Sequence, residues 1–423
     1  MTSVSDDVAL TMDDMPLGED GLIDFRALAV GLIETVANHA MELEADELLG
    51  EGNRRNGYRE RRLRTVIGEI VLRVPKLRED TYFPERVMRP YSRVDRAMVG
   101  VVSKAYVNGM STRRIEKVAG ELEFGRLSPS TVSRMLASLD GEVDALRQAE
   151  FDAGSPMPYL WLDATYVKCR DDDSRVCSQA TVTAIGAFMD GARRFVGFDL
   201  VDTESYDSWK RFLLSLRRRG VAGVRLVTSD AHAGLRRAIM EVFDGASWQR
   251  CFVHLQRDLA ARIRHRKDQG RAMRALSAVL RQSDAAMTRA AYDAAVVRIG
   301  AIDRRAGELL EDAREDALAH LAFHREHWVR LRTNNVQERA NAEIKRRTRA
   351  VQIFPSRESL IRLVGAVLVD MNETWATRRF MSGDDMATAL NPRTPPTRRD
   401  HRRDATTRRP DHHDRTRVRG MSI

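Results

Sequence analysis

From residue 158 to 253 the chain switches between two periodicities in an order that admits few folds. Residues 159–168, 180–189 and 194–201 read as three strands rich in β-branched and aromatic residues, with Asp190-Gly191 as the turn between the last two. Residues 206–219 take helical spacing, 224–228 return to a strand, 231–243 follow as a helix and 248–253 as a short last strand. Within 160–166, alternation sets Trp161, Asp163 and Thr165 on one face and Leu160, Leu162 and Ala164 on the other. Asp163 is therefore a carboxylate inside a strand that reads as buried. It needs a cation, a hydrogen-bond network or a raised pKa; a partner Arg or Lys, or an edge position open to water, would answer the same need.

Three strands, helix, strand, helix, strand is the ribonuclease-H order, so the expected core is an α/β sheet of ribonuclease-H-like fold. Asp230 ends the apolar run VRLVTSD (224–230), where open α/β sheets collect ligands at the carboxyl ends of their strands. The plainer alternative is that Ser229 or Asp230 caps the helix after it. Taken as a pair, two aspartates on adjacent strands can share a metal. Residues 257–325 lack proline and read as an all-helical insertion before a helix beginning near Asn334. On that helix Val336, Ala340 and Ile344 share one face, and Glu338, Asn341, Lys345 and Arg349 the opposite one, with Glu343 beside the apolar face. Glu338 is thus the acid aimed into a polar cleft, although a lone Glu on a helix is more often solvated surface.

Upstream, residues 25–49 place Leu28, Leu32, Val36, Met41 and Leu48 at helical spacing. Residues 54–78 carry nine basic and two acidic residues around a β-branched stretch at 65–75, which predicts a small basic hairpin. Residues 94–107 and 112–122 read as helices, and Ser128-Pro129 as the N-cap and first position of a third, through Leu139. That spacing is helix-turn-helix-like; a generic helical bundle is the competing reading.

The formal charge of +9 is uneven: residues 1–24 hold seven acids and no Lys or Arg, and residues 391–423 ten Arg against four Asp. The first reads as a flexible acidic lead without a signal-peptide pattern, the second as a disordered basic tail. No apolar stretch approaches the roughly 20 residues of a membrane span. Three cysteines, Cys169, Cys177 and Cys251, are too few for a disulfide framework and suit a cytoplasmic protein.

Taken together, WLDATYVK (161–168), VTSDAHAG (227–234), WQRCFVHL (248–255) and TNNVQERANAEIKRRT (333–348) resemble the bacterial Mutator-type insertion-sequence DDE transposases, as do RRNGYR (54–59) and IFP (353–355). The resemblance runs from about residue 25 to 390, and separations of 67 residues from Asp163 to Asp230 and 108 to Glu338 suit it. It implies a catalytic triad of Asp163, Asp230 and Glu338, with Glu343 as fallback, holding two Mg2+ or Mn2+ ions. It also implies supporting roles for Cys251, His254 and His232. Cys251 and His254 match a Cys-two-residues-His motif; for them a buried core position and a DNA contact outweigh zinc, which needs about four ligands, with Cys169 and Cys177 in a separate polar loop. His232 stands near the scissile phosphate or is simply a helix-start histidine.

The implied activity is transposition of an insertion sequence: water attacks at a transposon end to free a 3′-OH, which attacks a second strand directly. Partners are double-stranded DNA, as terminal inverted repeats and target, and a second copy of the chain in a homodimer or higher oligomer; no membrane partner is expected. Terminal repeats fall to a DNA-binding region at 25–150, with the helix from Ser128 in the major groove, Arg134 on it, and Arg54, Arg55, Arg59, Arg61 and Arg62 on phosphates. Lys345, Arg346, Arg347 and Arg349 grip phosphates near the cut, or form a solvated basic face. The core occupies 151–256 and 331–390, interrupted by the insertion at 257–330. The resemblance does not extend to the tail after Leu390, and it leaves two rivals: a repressor or inactive relic that binds repeats without cutting, and a nuclease on the same fold.

Overall fold

The computed structural model describes residues 15–49, 54–78, 82–88, 96–122, 127–381, 386–387 and 389. Most of the acidic lead and all of the basic tail lie outside these described residues. Helix α1 (Phe25–Glu47) begins where the Asp24 carboxylate accepts from the amides of Arg26 and Ala27. It buries Met41 and Ala45, whereas Val36 and Leu48 of the expected apolar stripe are exposed. The reason is its neighbour, the hairpin of β1 (Arg55–Thr65) and β2 (Gly68–Leu77). Polar residues of α1 face the edge of β2: Glu34 accepts from the Val71 amide at 2.5 Å and Asn38 from the Arg73 amide at 2.7 Å, satisfying an edge that would otherwise be open to pairing.

Helices α2 (Arg96–Val107), α3 (Thr112–Glu121) and α4 (Pro129–Leu136) follow, and Ser128 caps α4 with Pro129 in its first turn, as the sequence predicts. Part of the α3–α4 connection, residues 123–126, lies outside the described residues. A 3-10 turn leads α4 into α5 (Asp140–Gln148), a helix the sequence reading did not anticipate.

The central sheet is built from β3 (Tyr159–Arg170), β4 (Val176–Ala187), β5 (Arg193–Val201), β6 (Leu226–Ser229) and β7 (Ser247–Arg250), in the order β5-β4-β3-β6-β7. The first three pair antiparallel, and β6 and β7 join parallel to β3. Parallel neighbours need crossovers, supplied by α6 (Tyr206–Arg218) and α7 (Ala233–Val242). Strand β4 starts four residues earlier than the periodicity suggests and extends the hairpin with β3. Cys169 and Cys177 are thereby cross-strand partners rather than residues of a polar loop, and both remain thiols. Strand β7 stops at Arg250, short of the expected 253, because Phe252, Leu255 and Leu259 already form the buried stripe of α8 (Phe252–Arg262).

Helix α8 opens the insertion, continued by α9 (Arg266–Val279), α10 (Ala285–Gly300), α11 (Arg304–Asp312), α12 (Arg314–Ala317) and α13 (Trp328–Leu331) around a core of their own. The chain then returns to the sheet through α14 (Asn335–Thr348) and α15 (Arg357–Ala376). Strand alternation divides the core. Trp161 packs with residues of α5, α14 and α15 on one face, and Leu160 and Leu162 with α6 and α7 on the other. Among the described residues no helix is long and apolar enough to cross a membrane.

Candidate functional site

Parallel register brings the two aspartates together. Trp161 of β3 lies opposite Thr228 of β6, so Asp163 and Asp230, each two residues further along strands about 4.8 Å apart, come level at the carboxyl end of β6. Both are half-buried. Asp163 Oδ1 accepts from its neighbour's amide at Ala164 (3.0 Å) and Oδ2 from Asn341 Nδ2 (2.9 Å). Burial pushes the Asp163 carboxyl up to about 7 from the ordinary 3.8; the negative charge of Asp230 adds to this, the Ala164 amide offsets part, and Glu204 and Glu338 contribute less. Asp163 thus feels the charges of three other acids, and among the described residues no cation side chain pairs with it. Asp230 does not cap α7: His232 does, its Nδ1 accepting from the Leu235 amide at 3.2 Å. The Asp230 charge is near enough to act on Asp163.

Helix α14 is fastened across β3 by side-chain amides. Asn334 Nδ2 donates to the Leu162 carbonyl (2.9 Å), and Gln337 Nε2 to the carbonyls of Trp161 (2.6 Å) and Thr183 (3.1 Å). Gln337 Oε1 also accepts from the Thr183 hydroxyl (2.8 Å). Residues 334, 338 and 341 lie on one side of a helix, so the contacts of Asn334 and Asn341 aim Glu338 at the sheet. Its carboxylate is held by Arg257 of α8, at 2.8 Å. Among the described residues no three His, Cys, Asp or Glu side chains stand together as a metal-binding group; the Arg257 pair holds Glu338 to another partner.

The remaining residues singled out in the sequence fall into place unevenly. Cys251 is fully buried, its thiol pushed up to about 11 mainly by burial, and its Sγ accepts from the Asn334 amide at 3.1 Å. It therefore orients the start of α14. His254, one turn along α8, has a buried Nδ1 that meets no hydrogen-bond partner among the described residues. Glu343, the fallback acid, is held at about 2 by hydrogen bonds first from Arg346 and then from Arg347, against the effect of burial. It pairs with Arg346 and Arg347 on its own helix.

Arg347 is a correction. It is buried at 6% exposure, and its guanidinium donates to the Val107 carbonyl (2.9 Å), Glu343 (2.6 Å) and Asp370 (3.0 Å). It locks α14 to α2 and α15, and its burial keeps it from the surface where a phosphate would lie. Lys345 and Arg349 are exposed, and Arg346 is exposed but paired with Glu343. On the hairpin Arg54 and Arg59 are exposed. Arg55 pairs with Asp46, Arg62 with Glu69, and Arg61 lies 5.5 Å from the Phe83 ring. Arg134 is exposed on α4.

Sequence reasoning missed Gln337, whose position one step from the apolar face is its one signal, and Asn334, which it used as a helix start. It also missed Glu204, an acid of the β5–α6 connection that no periodicity marks.

A mixed α/β protein with paired aspartates at the mouth of a parallel strand pair, and a glutamate delivered by a later helix, is the class that fold and site define. The description "Transposase, Mutator family" matches residues 9–378. The transposase for insertion sequence element IS1081 of Mycobacterium tuberculosis is 38% identical over 367 residues, covering 85% of this chain and 88% of that protein. The transposase of ISRM5 from Rhizobium meliloti is 36% identical, covering 84% and 90%. That of IS256 in transposon Tn4001 from Staphylococcus aureus is 34% identical, covering 84% and 93%. The chain belongs to the Mutator family of transposases. Among solved structures, the Drosophila P element transposase strand transfer complex aligns with a TM-score of 0.29 and 13% identity, over 74% of this chain and 85% of that one, a similarity too slight to bear on the fold.

Proposed function

We propose that this insertion-sequence transposase binds the terminal inverted repeats of its element and cleaves and joins DNA at Asp163, Asp230 and Glu338 with two divalent ions, Mg2+ or Mn2+. The observation that carries this reading is the in-register aspartate pair, with Asp163 raised to about 7 by burial and by Asp230. Such a pair is unfavourable while both acids are charged, and a cation between them removes the penalty. The donor set, all carboxylate oxygen, fits Mg2+ or Mn2+. Asp163, Asp230 and Glu338 would hold the ions. When bound, the ions activate the attacking oxygen and stabilise the leaving one.

The chain's own residues prepare that arrangement. Asn341 fixes the plane of the Asp163 carboxylate, while Asn334 and Gln337 set the depth of α14 and hence of Glu338. The sheet order supports reading the core as ribonuclease-H-like, and the serine-capped α3 and α4 support assigning the terminal repeat to them. Two ends must meet for strand joining, so a homodimer or larger assembly acts on DNA.

The test is incubation of the protein with labelled duplexes carrying the element's terminal repeats, in Mg2+, Mn2+ or chelator. Metal-dependent release of a 3′-OH and its joining to a second duplex are expected. Repeat binding with no cleavage in either metal would replace the enzyme reading with a repressor. Glu338 must leave Arg257 to join the ions, so Arg257→Gln is expected to lower the Mn2+ concentration for half-saturation roughly two- to fivefold, the worth of an exposed ion pair. Titration calorimetry without DNA measures it; unchanged affinity would show that Arg257 does not compete for Glu338.

A further inference from the structure

The guanidiniums of Arg193 and Arg330 lie against one aromatic ring, and the positive charges of Arg339 and Arg378 also reach Arg193. Arg193 opens β5, Arg330 lies in α13, Arg339 follows Glu338 on α14, and Arg378 lies two residues past α15. The Arg193 guanidinium lies 4.4 Å from the ring centres of both Trp375 and Phe380, and that of Arg330 lies 5.3 Å from Phe380. Phe380 packs edge-on against buried Trp161, whose indole N–H donates to the Arg330 carbonyl at 3.2 Å. The aromatic support is therefore fixed by the core. Burial lowers Arg193 to about 10, helped by the positive charges of Arg339, Arg330 and Arg378; it stays protonated at neutral pH. Among the described residues none of the four guanidiniums has a carboxylate partner, whereas neighbours such as Arg257, Arg346, Arg347 and Arg362 each do.

Holding like charges together costs energy that cation–π stacking offsets only in part, and a bound anion removes the rest. We propose that Arg193, Arg330, Arg339 and Arg378 form a clamp for the phosphodiester backbone of DNA, separate from the hairpin and the basic end of α14. Arg330, Arg339 and Arg378 are exposed on an open surface, which suits a polymer backbone, and guanidinium forks bind phosphate oxygens in pairs. Arg193, packed between rings, sets the depth at which the backbone lies.

The clamp rests on the reading of this transposase as a DNA-binding enzyme, and the experiment separates the two. Binding of the full chain to a fluorescent duplex carrying the terminal repeat is measured from low to high salt. The variant carries Arg330→Gln, Arg339→Gln and Arg378→Gln. A control carries Arg271→Gln and Arg304→Gln, exposed arginines that pair with Asp268 and Glu308. Each phosphate contact contributes about 0.9 to the slope of log Kd against log salt. The clamp variant is expected to lose about 2 to 3 from that slope and the control to keep the wild-type value. Wild-type binding with an unchanged slope in the clamp variant, or an equal loss in the control, overturns the clamp alone. No binding by the wild type overturns both the clamp and the DNA-binding reading.

Discussion

Asp163→Asn is expected to abolish end cleavage and strand joining, by on the order of 10³-fold or more, while leaving the protein folded and bound to its terminal repeats. The substitution keeps the shape of the side chain and removes the charge that two ions would share. The Ala164 amide still finds the retained carbonyl oxygen. At the other position an NH2 would replace Oδ2 and meet the Asn341 NH2, but the Asn341 Oδ1 is buried without a partner, so turning that amide over restores a hydrogen bond. Labelled repeat duplexes in Mn2+ read both activities, and gel retardation in chelator reads binding. Cleavage by Asp163→Asn at more than about a tenth of the wild-type rate would remove Asp163 from the chemistry.

The same variant carries a signed pH dependence. In the metal-free fold Asp163 titrates at about 7 against 3.8 for the free side chain. Between those values the folded protein keeps a proton that the unfolded chain gives up, so stability falls as pH rises from about 4 to 7. Above 7 the full penalty applies, with an upper bound of about 4 kcal/mol. Asp163→Asn has no such group. In chelator its melting temperature relative to wild type is expected to climb from pH 4 to 7 and then level off, and Mn2+ at pH 8 is expected to raise the wild type and not the variant. A constant difference across that range would mean that the carboxyl is not held protonated by its surroundings.

What the sequence disclosed and what it hid follow from how far each signal reaches along the chain. Alternation in β3 and the strand end at Ser229 are local, so the positions of Asp163 and Asp230 could be read directly. The apolar face of α14 is also local, and Val336, Ala340 and Ile344 are buried as its wheel predicts. The fate of a polar residue depends on what another element brings to it. Arg347 reads like its basic neighbours until Val107 and Asp370, 240 residues before it and 23 after, close around it. Glu204 has no periodic signature because it sits in a connection, and only the fold brings its charge within reach of Asp163. The Arg257 hold on Glu338 joins the insertion to α14 across 81 residues, a pairing that neither segment announces. Strand ends shifted for the same reason, since the partner decides where pairing stops: β4 runs back to Val176 because β3 extends to Arg170 opposite it.

Gln337→Leu is expected to destabilise the protein by about 2 to 4 kcal/mol and to suppress cleavage even where the fold persists. Gln337 is completely buried, and its one amide serves both β3 and β4, donating to Trp161 and Thr183 carbonyls and accepting the Thr183 hydroxyl. Leucine fills a similar volume but strips a donor from two carbonyls and an acceptor from one hydroxyl, and buried groups left without partners account for the cost. Because Glu338 is the next residue on the helix, a shift of α14 away from the strand carries the acid with it. Glu338→Gln supplies the contrast: its side chain pairs with exposed Arg257, so stability should stay within about 0.5 kcal/mol of wild type while cleavage is lost. Urea unfolding monitored by tryptophan fluorescence separates the two variants, one failing through the support of the helix and the other through the acid it carries. Wild-type stability in Gln337→Leu would mean that the apolar face of α14 alone sets its seat on the sheet, and the amide bridge would then have no part in placing Glu338.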